Sequence, residues 1–390
     1  MRRPLYIPHR MPAARSSPMA IVALGTAAAL TAAATAVGTH LALRALARRR
    51  YRRGLPAQRR RPRAEPLNAR ELLVRNPIVE VGQDPWIARV DDDPAGAPFH
   101  YLYSDNAERL ALKRAPDLFD FDAVAPYWTW DPRDHAATAH LKLIWAPELH
   151  RIDGRWVIYV AMKPTANVLA PSHRMHAFTA VDDADLARGF AYAGELALPG
   201  NAWAIDGTPL RHAGKLYHVW SGWAPGERLH QYLYICAMRD ALTPTGPRVR
   251  ISAPTYPWEL RGRRLGLWPK INEGPVQLDR AGRTFLVYSA SGSWSDYYTL
   301  GLLELTGSDP LDPAAWTKHP EPVLAPNDEV IAPGHNGFVE RAGQLLCVYH
   351  AAQYSRAGWE REVHVAPMGF TARGWPLFPE PRRAVVLARG

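Results

Sequence analysis

Cysteine is nearly absent from this 390-residue sequence: there are two, Cys236 and Cys347, each inside an apolar, strand-like run. Two thiols do not build a disulfide framework, and the default reading is a pair of buried free thiols. From about Asn76 onward no long amphipathic helix can be traced either, which argues against helix bundles and alternating strand-helix folds. The first 64 positions hold no acid and no lysine, although fourteen arginines stand there. Removing those fourteen from the 47 basic residues leaves 33 against 37 acids, so the body carries about −4 rather than the +10 of the whole chain. A body without a basic field offers nothing to a polyanion, and nucleic acid is excluded as a partner.

The arginines flank an apolar, alanine-rich run from Met19 to about Gly38 that fades out by Leu43. The run is long enough to span a bilayer. Its small residues around Thr31 to Gly38 also suit signal-peptide cleavage. Arginine is denser after the run than before it, which by the positive-inside rule would hold the body in the cytoplasm. The expectation adopted is export, as a periplasmic, extracellular or membrane-anchored protein. The expected domains are a leader with basic linker over 1–75, its signal or transmembrane segment at about 19–43, and a single domain over 76–390.

What is present in the body is a repeat. Short β-branched and aromatic runs are broken by Gly, Pro, Asp and Asn, an all-β pattern. Five times a polar residue and a small residue or proline lead into an apolar run, a glycine turn and a strand rich in Tyr and Val. The five starts are Asp84-Pro85, Trp145-Ala146-Pro147-Glu148, Asp206-Gly207, Glu273-Gly274-Pro275 and His335-Asn336-Gly337-Phe338. Their anchors, Pro85, Pro147, Pro209, Pro275 and Phe338, are spaced by roughly 62 to 66 residues. One four-stranded sheet per repeat, arranged radially, makes a five-bladed β-propeller, with a β-sandwich as the alternative. In a propeller the innermost strands run the same way, so Asp84, Glu148, Asp206, Glu273 and His335 meet at one mouth of the channel.

Acids converging on a pocket rimmed by aromatic rings suit glycosidic hydrolysis. One protonated carboxyl donates to the leaving oxygen, and one ionised carboxylate activates water or attacks the anomeric carbon. Burial and proximity push the two pKa values apart and assign the roles. Trp145 and Phe338 are the aromatic residues expected in the pocket, and Glu148 either contacts substrate or caps a loop.

The segments quoted above, with Ile205-Asp206-Gly207, Asn272-Glu273-Gly274-Pro275 and Gly334-His335-Asn336, resemble glycoside hydrolase family 43. Ser252 to Glu259, Tyr298 to Leu303, Ala315 to Lys318 and Tyr349 to Ala351 are similar to its exo-acting α-1,5-L-arabinofuranosidases. The resemblance implies release of terminal α-L-arabinofuranosyl residues from arabinan or arabino-oligosaccharides, with inversion. It implies Asp84 as general base, Glu273 as general acid and Asp206 as the residue that tunes the acid's pKa. It also implies Arg361, with Arg356 as rival, facing the substrate. No cofactor is required, but His335 would sit on the axis by a hydrated metal ion such as calcium. Base and acid would stand about 6.5–9.5 Å apart to admit a water. A β-xylosidase or endo-arabinanase of the same fold is the alternative, and a non-catalytic carbohydrate-binding propeller the second. The retaining invertase type is disfavoured, because no Arg-Asp-Pro occurs and the acid lies in Asn-Glu-Gly-Pro.

Overall fold

The computed structural model describes residues 45–51, 62–164, 172–262 and 266–390. The chain divides into two units, Met1–Arg50 and Tyr51–Gly390. Of the first, residues 45–50 are described, and they are helical. The apolar segment at 19–43 lies outside the described residues, among which no helix is long and apolar enough to cross a membrane.

The second unit is all-β. Four sheets have four antiparallel strands each. The first begins with Trp86–Arg89, the second with Lys142–Ile152, the third with Ala204–His212 and the fourth with Asn272–Arg280. A fifth sheet has three strands, Ile331–Arg341, Gln344–Ala352 and Arg361–Pro367. The chain before the first sheet completes the edge of this fifth one. Ile78 donates its N–H to the Val363 carbonyl (2.7 Å), Val363 donates back to Val79 (2.9 Å), and Asn76 brackets Val365 with its side-chain amide. Residues 64–75, expected to belong to the leader, are also part of this unit: Ala64–Pro66 and Glu71–Arg75 form a sheet with the C-terminal strand Ala384–Ala388. Leu72 and Val74 are buried there, which a solvated linker would not allow.

The hairpin turns explain the repeat. Between the first and second strands of sheets two to five stand Asp153-Gly154, Ala213-Gly214, Ala281-Gly282 and Ala342-Gly343, with φ positive at both residues of each pair. This is the two-residue turn whose twist matches antiparallel strands, and glycine takes the second position at no steric cost.

Five apolar clusters hold the sheets together, each bridging two neighbouring sheets, the fifth sheet being joined to the first in a cluster that also takes in Leu72, Val74, Val385 and Leu387 of the terminal sheet. Both faces of a sheet are therefore buried, and successive residues of a strand feed opposite clusters. In the second sheet Ile158, Val160 and Met162 pack toward the first sheet, while Val157, Tyr159 and Ala161 pack toward the third. This is why these strands read as continuous apolar runs rather than alternating ones.

Candidate active site

The first strands carry a shared irregularity. Pairing with the second strand slips between Trp145 and Glu148, Ile205 and Thr208, Glu273 and Val276, and Gly334 and Gly337. Inside each slip stands one left-handed residue: Ala146 (φ 43°), Asp206 (53°), Gly274 (56°) and His335 (51°). Asp84 (φ 47°) takes the corresponding place just ahead of Trp86–Arg89. A bulge leaves residues unpaired and re-aims their side chains. Left-handed backbone is costly for residues other than glycine, Asn or Asp, and persists where the surroundings enforce it.

The register corrects one detail of the repeat. Asp84, Asp206 and His335 are equivalent. Glu273 stands one residue before the left-handed position and faces Ser289, as Ile205 faces Ser221 and Gly334 faces His350. Glu148 stands two residues after it, facing Tyr159. A sequence repeat cannot show this, because the slip adds unpaired residues without altering composition.

The structure brings Asp84, Asp206, Glu273, His335 and Arg361 together. Asp84 Oδ1 lies 3.3 Å from His335 Nδ1 and 3.5 Å from an Arg361 guanidinium nitrogen. Its own N–H donates to His350 Nδ1 (3.0 Å). That ring is fully buried, and burial, with the Arg361 and His335 charges, holds its pKa well below the ordinary histidine value. His350 is thus neutral, and its approach to the Asp84 carboxylate is a polar contact rather than an ion pair. Arg361 is fixed by donating to the Ser293 carbonyl (2.6 Å). Asp206 Oδ2 accepts the N–H of Gly274 (3.0 Å), so it is tied to the backbone next to Glu273. Glu273 Oε1 accepts the Tyr298 hydroxyl (2.8 Å).

Glu273 and Asp206 are both buried. Burial pushes the Glu273 carboxyl up to about 7; the Asp84 charge adds to this, while the Tyr298 hydrogen bond and Arg361 oppose it. Burial, then the Glu273 and Asp84 charges, push Asp206 well above the usual carboxylate range, against the Gly274 N–H. The Glu273 charge thus disfavours ionisation of Asp206. If Glu273 is active when protonated, activity falls as pH rises through about 7. Tyr298 favours the ionised form, so Tyr298→Phe is expected to move this alkaline limb of kcat/KM to higher pH. An unmoved limb would assign it to another group. Gly334 makes room for Tyr298, since a Cβ there would lie 2.2 Å from its ring.

The remaining expected residues divide. Trp145 is 37% exposed and stacks on His173 with centroids 3.8 Å apart. Glu148 is buried and engaged by His150 Nε2 (2.8 Å), though Asp206 feels its charge. Phe338 is not brought to the carboxylates. It packs on Phe378 in the apolar cluster between the fourth and fifth sheets, because the slip after Gly334 turns it toward that neighbour. Arg356 lies outside the group, its N–H bound to Asp296. Among the described residues no three His, Cys, Asp or Glu are grouped to hold a metal. Calcium takes six to eight oxygens, and the set around His335 does not fit a directly ligated ion, so no step below runs through one. Tyr298, His350 and Ser289, whose Oγ accepts the His335 N–H (2.8 Å), were not singled out from sequence. Ser289 and His350 stand on second strands and Tyr298 directly precedes a third, where they read as ordinary strand residues.

Comparison with known proteins shows the family. The model of "Glycosyl hydrolases family 43" matches residues 74–376. An extracellular exo-α-(1→5)-L-arabinofuranosidase of Streptomyces chartreusis is 33% identical over 292 residues, which span 72% of this chain and 82% of that one. The enzyme of the same name from Streptomyces avermitilis is 32% identical over 320 residues, 78% of this chain and 63% of that one. Among solved structures, an α-L-arabinofuranosidase from Lactobacillus brevis superposes with a TM-score of 0.69 at 30% identity, covering 79% of this chain and 96% of that one. With its buried carboxyls gathered where the first strands slip, the chain is a glycoside hydrolase and belongs to family 43 of the glycosyl hydrolases.

Proposed function

We propose that this protein removes terminal α-L-arabinofuranosyl residues from arabinan or arabino-oligosaccharides, with inversion, on a five-bladed β-propeller spanning its second unit. The cyclic succession of apolar clusters, which joins the fifth sheet back to the first, supports the propeller reading. The observation that carries the chemistry is the unequal treatment of three carboxyls. Glu273 and Asp206 are buried and hold protons tightly, whereas the Asp84 side chain is 21% exposed, beside Arg361. Glu273 protonates the leaving oxygen. Asp84 takes the proton of a water that attacks the anomeric carbon from the opposite face, through an oxocarbenium-like transition state. Asp206 tunes the acid by fixing its backbone through Gly274, while burial and the Asp84 charge raise the acid's pKa.

Export fits this substrate, which is a polymer outside the cell, and both Streptomyces relatives are described as extracellular. The leader, with its apolar run at 19–43, would deliver or anchor the catalytic domain.

The test is release of 4-nitrophenol from the α-L-arabinofuranoside and the β-D-xyloside, with the anomer of the first sugar released from arabinobiose read by NMR. The arabinofuranoside is expected to be cleaved at least about tenfold faster, a difference of roughly 1.4 kcal/mol in barrier, and the first sugar to appear inverted. A preference for the xyloside, or retention, would overturn the reading.

A further inference from the structure

The residue before Glu273 is held more completely than its neighbours. Asn272 is fully buried, and each of its polar atoms is engaged. Its N–H donates to the Gln231 carbonyl (3.2 Å), and its carbonyl accepts from Ser221 Oγ (2.9 Å). Its Nδ2 donates to Glu259 Oε1 (2.9 Å) and to the Ile271 carbonyl (3.0 Å). Its Oδ1 accepts from Ser252 Oγ (2.8 Å) and Lys318 Nζ (3.3 Å).

Behind this amide sits an ion pair between buried Glu259 and half-buried Lys318. Glu259 has no exposed surface. Its Oε1 also accepts from Lys318 Nζ (2.8 Å) and Tyr288 Oη (2.9 Å), and its Oε2 accepts the N–H groups of Thr255 (2.7 Å) and Tyr256 (2.8 Å). Lys318 Nζ also donates to the Ala253 carbonyl (2.6 Å). Glu259 lies on the short helix Pro257–Leu260, Ser252 ends the outer strand of the third sheet, and Lys318 ends the outer strand of the fourth. Three separate elements thus converge on one residue of a first strand.

A buried ion pair is poor evidence of stabilisation, since an apolar pair of the same volume often does as well. What it does supply is a fixed direction for each hydrogen bond. That direction matters at this point because the ladder slips immediately after Glu273, leaving Gly274 and Pro275 without partners in the next strand. The sheet therefore cannot set the direction of the Glu273 side chain from the downstream side, and Asn272 is the last residue upstream that can.

We propose that the Glu259–Lys318 pair, acting through Asn272, is the positioning device for the general acid. The proposal rests on the reading of Glu273 as that acid. Neither residue touches substrate, and a misplaced acid has a characteristic kinetic signature. Cleavage of an unactivated sugar needs the proton, whereas 4-nitrophenolate leaves largely unaided.

Lys318→Met is therefore expected to lower kcat on α-1,5-linked arabinobiose by about 10- to 100-fold, the scale of an ångström-sized misplacement. KM on arabinobiose should stay within about threefold, and kcat on 4-nitrophenyl α-L-arabinofuranoside should fall by less than about threefold. Ser252→Ala, a smaller change checked by thermal melting, should shift the two substrates in the same unequal way. Glu273→Gln is measured beside them. If Glu273→Gln affects both substrates equally, the acid reading itself fails. If Glu273→Gln shows the unequal loss while the folded Lys318→Met and Ser252→Ala proteins lose activity equally on both substrates, or not at all, the positioning proposal alone is overturned. Should Lys318→Met fail to fold, Ser252→Ala decides by the same criterion.

Discussion

Glu273→Gln is expected to lower kcat on α-1,5-linked arabinobiose by about 10²–10⁴-fold, the range that a general acid contributes. The loss on 4-nitrophenyl α-L-arabinofuranoside should be much smaller. Glutamine keeps the shape of the side chain and still accepts the Tyr298 hydroxyl at Oε1 (2.8 Å in the native protein), but has no proton of the required acidity. The same variant carries a stability signature with a definite sign. Burial raises the folded-state pKa of Glu273 from 4.5 to about 7. Below pH 4.5 the carboxyl is neutral in both folded and unfolded chains, and it costs nothing beyond what glutamine costs. As pH rises toward 7 the unfolded chain loses its proton first and gains stability relative to the folded one. The native protein is therefore weaker than the variant above pH 7, by roughly 3 kcal/mol at most from the size of the shift. Glu273→Gln should melt at the same temperature as the native protein near pH 4 and a few degrees higher at pH 8. A lower melting point at pH 8 would show that the carboxylate is stabilised in the fold, and would contradict its role as a proton-holding acid.

Asp84→Asn is expected to cost about 10²–10⁴-fold in kcat on both substrates alike, because the attacking water must lose its proton whatever group departs. The contrast with Glu273→Gln separates base from acid without reference to any structure. Asparagine is the proper replacement here. Position 84 has φ 47°, and Asn tolerates the left-handed region as Asp does, whereas Asp84→Ala would add backbone strain to the loss of the carboxylate. The melting temperature of Asp84→Asn should stay within a few degrees of the native value, since the N–H of residue 84 still reaches His350 and Asn adds no backbone strain. Activity within about threefold of native on arabinobiose would remove Asp84 from the chemistry.

Much of the scaffold was legible because its physical causes are local. A sheet buried on both faces writes continuous apolar runs, and a two-residue hairpin with both φ values positive writes X-Gly. The chain states both in repeats two to five, as in Ile152-Asp153-Gly154-Arg155 and Arg280-Ala281-Gly282-Arg283. Asp84, Asp206 and His335 were found together because they share one strained step of that repeat. Glu273 and Glu148 were assigned to the same step, and the register moved each of them by one or two residues. Phe338 was misplaced for the same cause: a slip in pairing reverses which face a side chain takes, and sequence records residues, not partners.

Arg361 took a role from the resemblance, whereas Tyr298 and His350 lay in resembling stretches without taking one and Ser289 lay in none, because a histidine, serine or tyrosine in or beside a β-strand carries no local mark of which neighbour it faces. The membership of strands 64–75 was missed in the same way. Their partner is the strand at 384–388, at the other end of the chain.

By itself the sequence determined the all-β class, the repeat, the turn at each hairpin and the acids available for chemistry, because each depends on composition and on spacing within a few residues. Only the tertiary structure decided which acids are buried, which one Arg361 faces, and that Asn272 is clamped by Glu259 and Lys318. Desolvation and hydrogen-bond direction depend on chain segments that lie dozens to hundreds of residues apart and meet only when the sheets pack.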